Sequence, residues 1–551
     1  MRKFALLVIL VLSAGILHAC GGDIQHDAYG PATQDDMQSI IRFGRDWPTF
    51  IDPAVGSSYT CQISHVNLYS PLVFPNTDGT VRPHIATDWS VSDDGLTYIF
   101  SIRDDVLFHS GNPLRASDVA YSMNRMLAIG QGFSHLYVGI VQDARALDDT
   151  TVEMTLYNTF GPFVNSLTRL FIVEEALVRA NYDMDTTVTF GDHGDYGMAW
   201  MLTNAAGSGP YMIHEIMLDE FVLGIQFPDY FLGWEENAPM FFRLSNMNDP
   251  VAQRTAFANR TLEISSDNMP QETLTELENM GGILVERASA GGWNMFLNTQ
   301  IAPTDCVYFR KALSYAFDYD TVMNVILPGS QRATGPVASN LFGKNHDLPG
   351  YHYDLDLARE YLSKSKYADD PSIWSIDLAW VAEITAQEQI ALMFQASLQQ
   401  LGIDLNIIRT PFSVMTSNSQ TIETTPHASM VLWSPSFFEA GDVFRSRYHS
   451  ASTGSWEQME WLLDSELDRM IDNSLTILDD AERAAAYEEI EAYIFDLAPT
   501  IWIARADARY VMQPFVKWYV HDFMVAGERA ILPTGFDMYY RDFRVNVDAR
   551  D

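Results

Sequence analysis

The segment from Pro83 to Arg125 constrains the fold more tightly than any other part of the chain. Asp94-Gly95 supplies the positive-φ turn of a β-hairpin. Leu96, Tyr98, Phe100 and Ile102 then alternate with Thr97, Ser101 and Arg103, the period of a half-buried strand. A Ser-Gly-Asn-Pro turn follows, and Ser117-Asp118 open an apolar helical stretch. Further strands alternate with helices along the chain, which predicts an α/β protein.

The amino terminus reads as an export signal. Arg2-Lys3 precede an apolar run from Phe4 to Leu17, too short for a membrane span and correctly flanked for secretion. Residues 1–19 are therefore expected to be a signal peptide. Leu17-His18-Ala19-Cys20 resembles a lipobox, which makes Cys20 the expected lipidation site and the lipid the only membrane attachment. Residues 20–39 follow as a polar tether with a reach of roughly 25 Å as a flexible coil.

With 551 residues and 47% hydrophobic content, the chain exceeds one ordinary core and predicts two or three lobes. A net charge of −38 argues against nucleic acid or an anionic membrane surface as partner. Beyond Cys20, the cysteines Cys61 and Cys306 are far apart in the chain and read as two unpaired buried thiols. Neither H-E-x-x-H nor paired C-x-x-C, a G-x-S-x-G elbow nor a phosphate loop is present, so the sequence offers no catalytic residue, metal site or cofactor motif.

The run Pro83-His84-Ile85-Ala86, Trp89, Ser92-Asp93-Asp94-Gly95, Tyr98, Phe100 and Arg103, then Phe108-His109, Gly111, Pro113 and Asp118-Val119, closely resembles the signature of the family 5 extracellular solute-binding proteins, the peptide-binding class of ABC importers. Gly207-Ser208-Gly209-Pro210-Tyr211 resembles that family's G-T-G-P-Y turn, with glycine supplying positive φ before a strand over Tyr211–Ile216. Phe227 to Trp234 resembles N-x-x-Y-W-x-G, and Phe309 to Asp318 the helix V-R-Q-A-L-x-Y-A-I-D. Arg260 and Glu263 stand where the pattern A-L-x-x-G-E-I-D has Gly and Asp, which predicts a remodelled turn. Arg115 replaces a helix-capping threonine, at a cost of about 1 kcal/mol unless Ser117 takes over the cap.

The resemblance implies a large two-lobed periplasmic-binding-protein fold of the cluster C type, with a hinge between lobes. Lobe I is expected over 40–290, with an extra subdomain at about 70–205, lobe II over 291–500, and a return to lobe I over 501–551. Ala498 to Ile503 is read as the return strand. The implied function is solute capture between the lobes and delivery to ABC permease subunits, by a monomer exported to the periplasm or cell exterior.

Ligand identity is open at this level. In peptide-binding relatives an aspartate three residues after a tryptophan pairs with the peptide ammonium. Here that tryptophan is Trp433 and the position is Ser436, whose hydroxyl cannot neutralise a buried ammonium; Glu439 or Asp442 are the candidate replacements. Trp433, Phe437 and Phe438 are expected as pocket wall. Ser58, Tyr59 and Thr60, after Ile51-Asp52-Pro53, read as ligand contacts or a solvated loop, and Trp293 and Asn294 as crossover residues that meet ligand or steady the hinge. Arg332 reads as a carboxylate partner or a surface residue. Peptide leads oligosaccharide as the expected ligand, with nickel and haem behind. The rival readings are a secreted hydrolase of peptides or glycans and a surface sensory receptor on the same fold.

Overall fold

The computed structural model describes residues 38–550 apart from 78, 79, 268, 289, 383, 506 and 529–531. The signal peptide expected over 1–19, the lipidation expected at Cys20 and nearly all of the tether expected over 20–39 lie outside the described residues.

Three sheets organise the chain. In the first, Ile40–Arg45 runs parallel to Phe241–Asn246, which pairs antiparallel with Phe221–Gln226 and, beyond it, Tyr211–Met217. The second contains the hairpin predicted from Asp94-Gly95: Ala86–Val91 pairs with Thr97–Ile102, followed in space by Thr151–Leu156 and Val141–Ala146. Gly95 has φ +70°, and Asp94 Oδ1 accepts from Leu96 N at 3.1 Å, closing the turn. The helix Ala116–Ile129 packs on this sheet. Ser117 does not take over its cap; the Asp118 carboxylate accepts from Arg115 N at 2.9 Å instead.

The third sheet is six-stranded, in the order Gln331–Arg332, Thr500–Arg505, Gly292–Leu297, Ala428–Trp433, Ser375–Val381 and Asp404–Thr410. The parallel pair Ser375–Val381 and Asp404–Thr410 is joined through the helix Ala386–Gln399, which ends before the positive-φ Gly402. Thr500–Arg505 corrects the expected topology: it pairs antiparallel with Gly292–Leu297 inside this sheet and is not the return strand. An apolar run buried on both faces fits the centre of any sheet, so its sequence did not name its partner. The return is made by Ala508–Met512, which pairs with Ile283–Arg287. Two neighbouring strands thus feed the two crossovers, Arg287 to Gly292 and Arg505 to Ala508.

Two turns differ from expectation. Gly207 and Gly209 do not adopt positive φ; they permit close approach, since a Cβ on Gly207 would lie 1.9 Å from the Leu68 carbonyl oxygen. Arg260, in contrast, adopts φ +56°, so the turn keeps the conformation that glycine ordinarily takes. Glu263 behind it is buried against Arg42 and Arg550. Cys61 and Cys306 are both buried and unbridged.

Candidate functional site

Between the lobes lies a cavity of ≈ 1170 Å³, walled by segments of both lobes. On the lobe I side, Ser58 caps the helix Tyr59–Leu68, accepting from Cys61 N at 3.4 Å. Ser58 and Tyr59 line the cavity. The Tyr59 hydroxyl lies 2.9 Å from that of Tyr510 and donates to Asp537 Oδ2 at 3.0 Å. Asp537 is also 2.8 Å from Arg287 Nε, and Arg45 sits 4.4 Å from the Tyr59 ring centroid. Tyr59 therefore connects the cavity wall to both hinge strands, through Arg287 on one and Tyr510 on the other. Thr60 turns inward and donates to Asp46 at 3.2 Å, away from the cavity. Asp52, just upstream, forms a buried bidentate pair with Arg125 at 2.6 and 2.7 Å, which fixes this loop to the subdomain helix.

The lobe II wall is the end of the strand Ala428–Trp433, the following loop and the helix Ala440–Arg447. Period-2 alternation turns Leu432 and Ser434 to the cavity and sends Trp433 into the core. Ser436 and Phe437 line the cavity. Ser436 is held at both ends of its peptide unit: its N donates to Asp442 Oδ2 at 2.5 Å, and its O accepts from Arg169 Nε at 2.7 Å.

Of the two acids that could stand in for the missing aspartate, the fold places one on the cavity. Asp442 lines it, and burial pushes its carboxyl up to about 6. Glu439 is wholly buried: its carboxylate accepts from Arg483 Nε at 2.6 Å, Tyr487 OH at 2.8 Å and Asn165 Nδ2 at 3.1 Å. It is thus committed within the protein. Phe438 faces a second, smaller inter-lobe cavity of ≈ 680 Å³ shared with Asn165 and Arg483. Trp293 is half-buried, and Asn294 bonds back to Gly292 O at 2.8 Å; both lie on the strand that begins lobe II, outside the main cavity's lining. Arg332 is exposed and rests 4.9 Å from the Tyr319 ring centroid, also away from the cavity.

The cavity also holds groups that sequence reading did not pick out. Arg169 projects from the turn after Phe163–Ser166, between Phe133 and Phe536 at 5.0 and 5.5 Å. Glu457 also lines the cavity, its carboxyl raised to about 7 by burial and then by the charge of Asp442. Arg445 lies 5.8 Å from the Phe160 ring. One signal was legible for Arg169, a lone cation in the apolar run Leu167 to Val173; Glu457 gave none. Among the described residues, hydrogen bonds span the lobes from Arg169 to Ser436 O, from Asn165 to Glu439, and from Gly161 N to Leu475 O at 2.8 Å, and the first of them joins two residues of the main cavity's lining. Among the described residues, no cluster of three or more His, Cys, Asp or Glu is placed to hold a metal ion, and no helix is long and apolar enough to cross a membrane.

Two α/β lobes, two adjacent crossovers and a cavity between the lobes define a hinged binding protein. The family model described as bacterial extracellular solute-binding proteins, family 5 Middle, matches residues 80–455, and the chain belongs to this family. It is 25% identical over 489 residues to the probable D,D-dipeptide-binding periplasmic protein DdpA of Escherichia coli, covering 87% of this chain and 90% of that one. The substrate-binding protein CtaP of Listeria monocytogenes superposes with a TM-score of 0.78 at 20% identity, over 92% of this chain and 99% of that one. The periplasmic binding protein DppA of Helicobacter pylori, in complex with the peptide STSA, gives 0.75 at 20% identity, over 92% and 98%. The two-lobed fold of the cluster C type is thereby shown.

Proposed function

We propose that this protein captures a short peptide between its lobes and delivers it to an ABC permease, without transforming it. The observation that carries this reading is the cavity itself: polar groups from both lobes line it, and the bond from Arg169 to Ser436 O joins one lobe's wall to the other's. A ligand touching both walls adds free energy only to the closed state, which is what a permease needs to distinguish loaded from empty protein. Its ≈ 1170 Å³ lies at the upper end of small-ligand sites and suits a few residues of peptide. The kinship with DdpA supports a peptide, and the charged residues Arg169, Asp442 and Glu457 suit peptide termini better than neutral sugar rings. In this reading the protein is exported, anchored through Cys20 and monomeric, and requires no cofactor.

Thermal shifts of the purified protein against di- to pentapeptides and oligosaccharides test it. Ligand at 100-fold over its dissociation constant stabilises the fold by roughly 2.7 kcal/mol. A shift with peptides is expected. A shift with oligosaccharides alone would replace the peptide reading, and turnover of a bound ligand would favour a hydrolase.

A further inference from the structure

Arg169 is a buried cation that the protein leaves uncompensated. It is 1% exposed, and both of its hydrogen-bonding nitrogens reach main-chain carbonyls: Nε to Ser436 at 2.7 Å and Nη1 to Thr534 at 3.0 Å. Its Nη2 is buried, belongs to a residue lining the cavity, and has no hydrogen-bond partner among the described residues. Asp442 and Asp537 act on it electrostatically, but neither bonds it, and burial lowers its pKa to about 10. Asp442 instead accepts from Ser436 N at 2.5 Å and from Ser446 Oγ at 3.3 Å. Asp537 is taken up by Arg287, Tyr59 and Tyr510. A buried guanidinium without a carboxylate, and with a donor left unmade, is costly unless something entering the cavity completes it.

The neighbouring charges define what enters. A bare anion at Nη2 would meet the negative potential of Asp442 and Glu457, which line the same cavity. A ligand with a cationic end satisfies both sides at once. Resting on the solute-binding reading above, we propose that Arg169 receives the ligand's carboxylate beside Ser436, and that the ligand is dipolar, its cationic end directed to Glu457. Because Arg169 also bonds Ser436 O, a carboxylate on Nη2 fixes the guanidinium that joins the lobes.

The test offers purified protein a di- to pentapeptide library lacking Asp and Glu, the same library C-amidated, the same library N-acetylated, and neutral oligosaccharides, with retained ligand read by native mass spectrometry. Free peptides should be retained, C-amidation should weaken retention by about a hundredfold, and N-acetylation should weaken it as well. Arg169→Gln should abolish the preference for a free carboxylate, and Arg169→Lys should keep part of it. Equal retention of amidated peptides, an unchanged preference in Arg169→Gln, or retention of neutral oligosaccharides instead of peptides overturns the assignment while leaving solute binding intact. Indifference to N-acetylation overturns its dipolar half. Retention of nothing from any arm removes the solute-binding reading and the inference with it. If Arg169→Gln does not fold, the amidation comparison on wild-type protein decides the matter.

Discussion

Two buried arginines face the same inter-lobe boundary and are treated in opposite ways. Arg483 sits on Glu439 at 2.6 Å, with Asp480 at 2.8 Å and the Tyr487 hydroxyl sharing the carboxylate. Arg169 has carbonyls, aromatic faces and one donor without a partner among the described residues. The first cluster is electrically complete within the protein, and the second is not. Both make or support a bond across the lobes, Glu439 through Asn165 and Arg169 through Ser436 O. The contrast separates a contact that steadies the closed form from one that reports on occupancy, since only an incomplete cluster gains from a ligand.

The largest effect expected from breaking this contrast is in the complete cluster. Arg483→Met leaves the Glu439 carboxylate buried without its cation and should cost about 3–5 kcal/mol in urea unfolding, irrespective of ligand. Arg169→Met should cost the ligand-free protein less, about 1–2 kcal/mol for two lost bonds offset by removal of an uncompensated charge. If the two losses are equal, the clusters do not differ as described.

Acid on the cavity wall gives a pH test of comparable size. The Glu457 carboxyl is raised from 4.5 to about 7, so between those values the folded protein keeps a proton that the unfolded chain has released. Stability therefore falls as pH rises through this window. Glu457→Gln should remove that fall, leaving the variant more stable than wild type at pH 8 by on the order of 1–3 kcal/mol and equal to it below pH 4. Parallel stability curves for the two proteins would contradict the assignment. The smallest effect is expected at Tyr59→Phe, which loses its bonds to Tyr510 and Asp537 and should cost about 1 kcal/mol by thermal unfolding.

Much of the fold was legible because its signals are local. Asp94-Gly95 and the alternation from Leu96 to Ile102 specify a hairpin by turn geometry and pleat, and both are found. Partner choice is not local, which is why Ala498 to Ile503 reads as a return strand although Thr500–Arg505 pairs with Gly292–Leu297: a continuously buried strand carries no mark of its neighbour. The site divides in the same way. Ser58, Tyr59, Ser436 and Phe437 reach the cavity because they sit in segments whose family resemblance fixes their place. Glu439 and Asp442 differ by one helical turn, yet only the tertiary position of Arg483 takes Glu439 out of the site. Arg169 and Glu457 line the same cavity as Ser436 from other parts of the chain, a proximity that spacing cannot express.

The most direct measurement is a crystal structure of the protein with its retained ligand bound. A ligand carboxylate at about 2.7–2.9 Å from Arg169 Nη2, with the bond from Nε to Ser436 O kept, is the predicted result. A neutral ligand group at Nη2, or a ligand ammonium beside Ser436 with Arg169 turned away, would contradict the account.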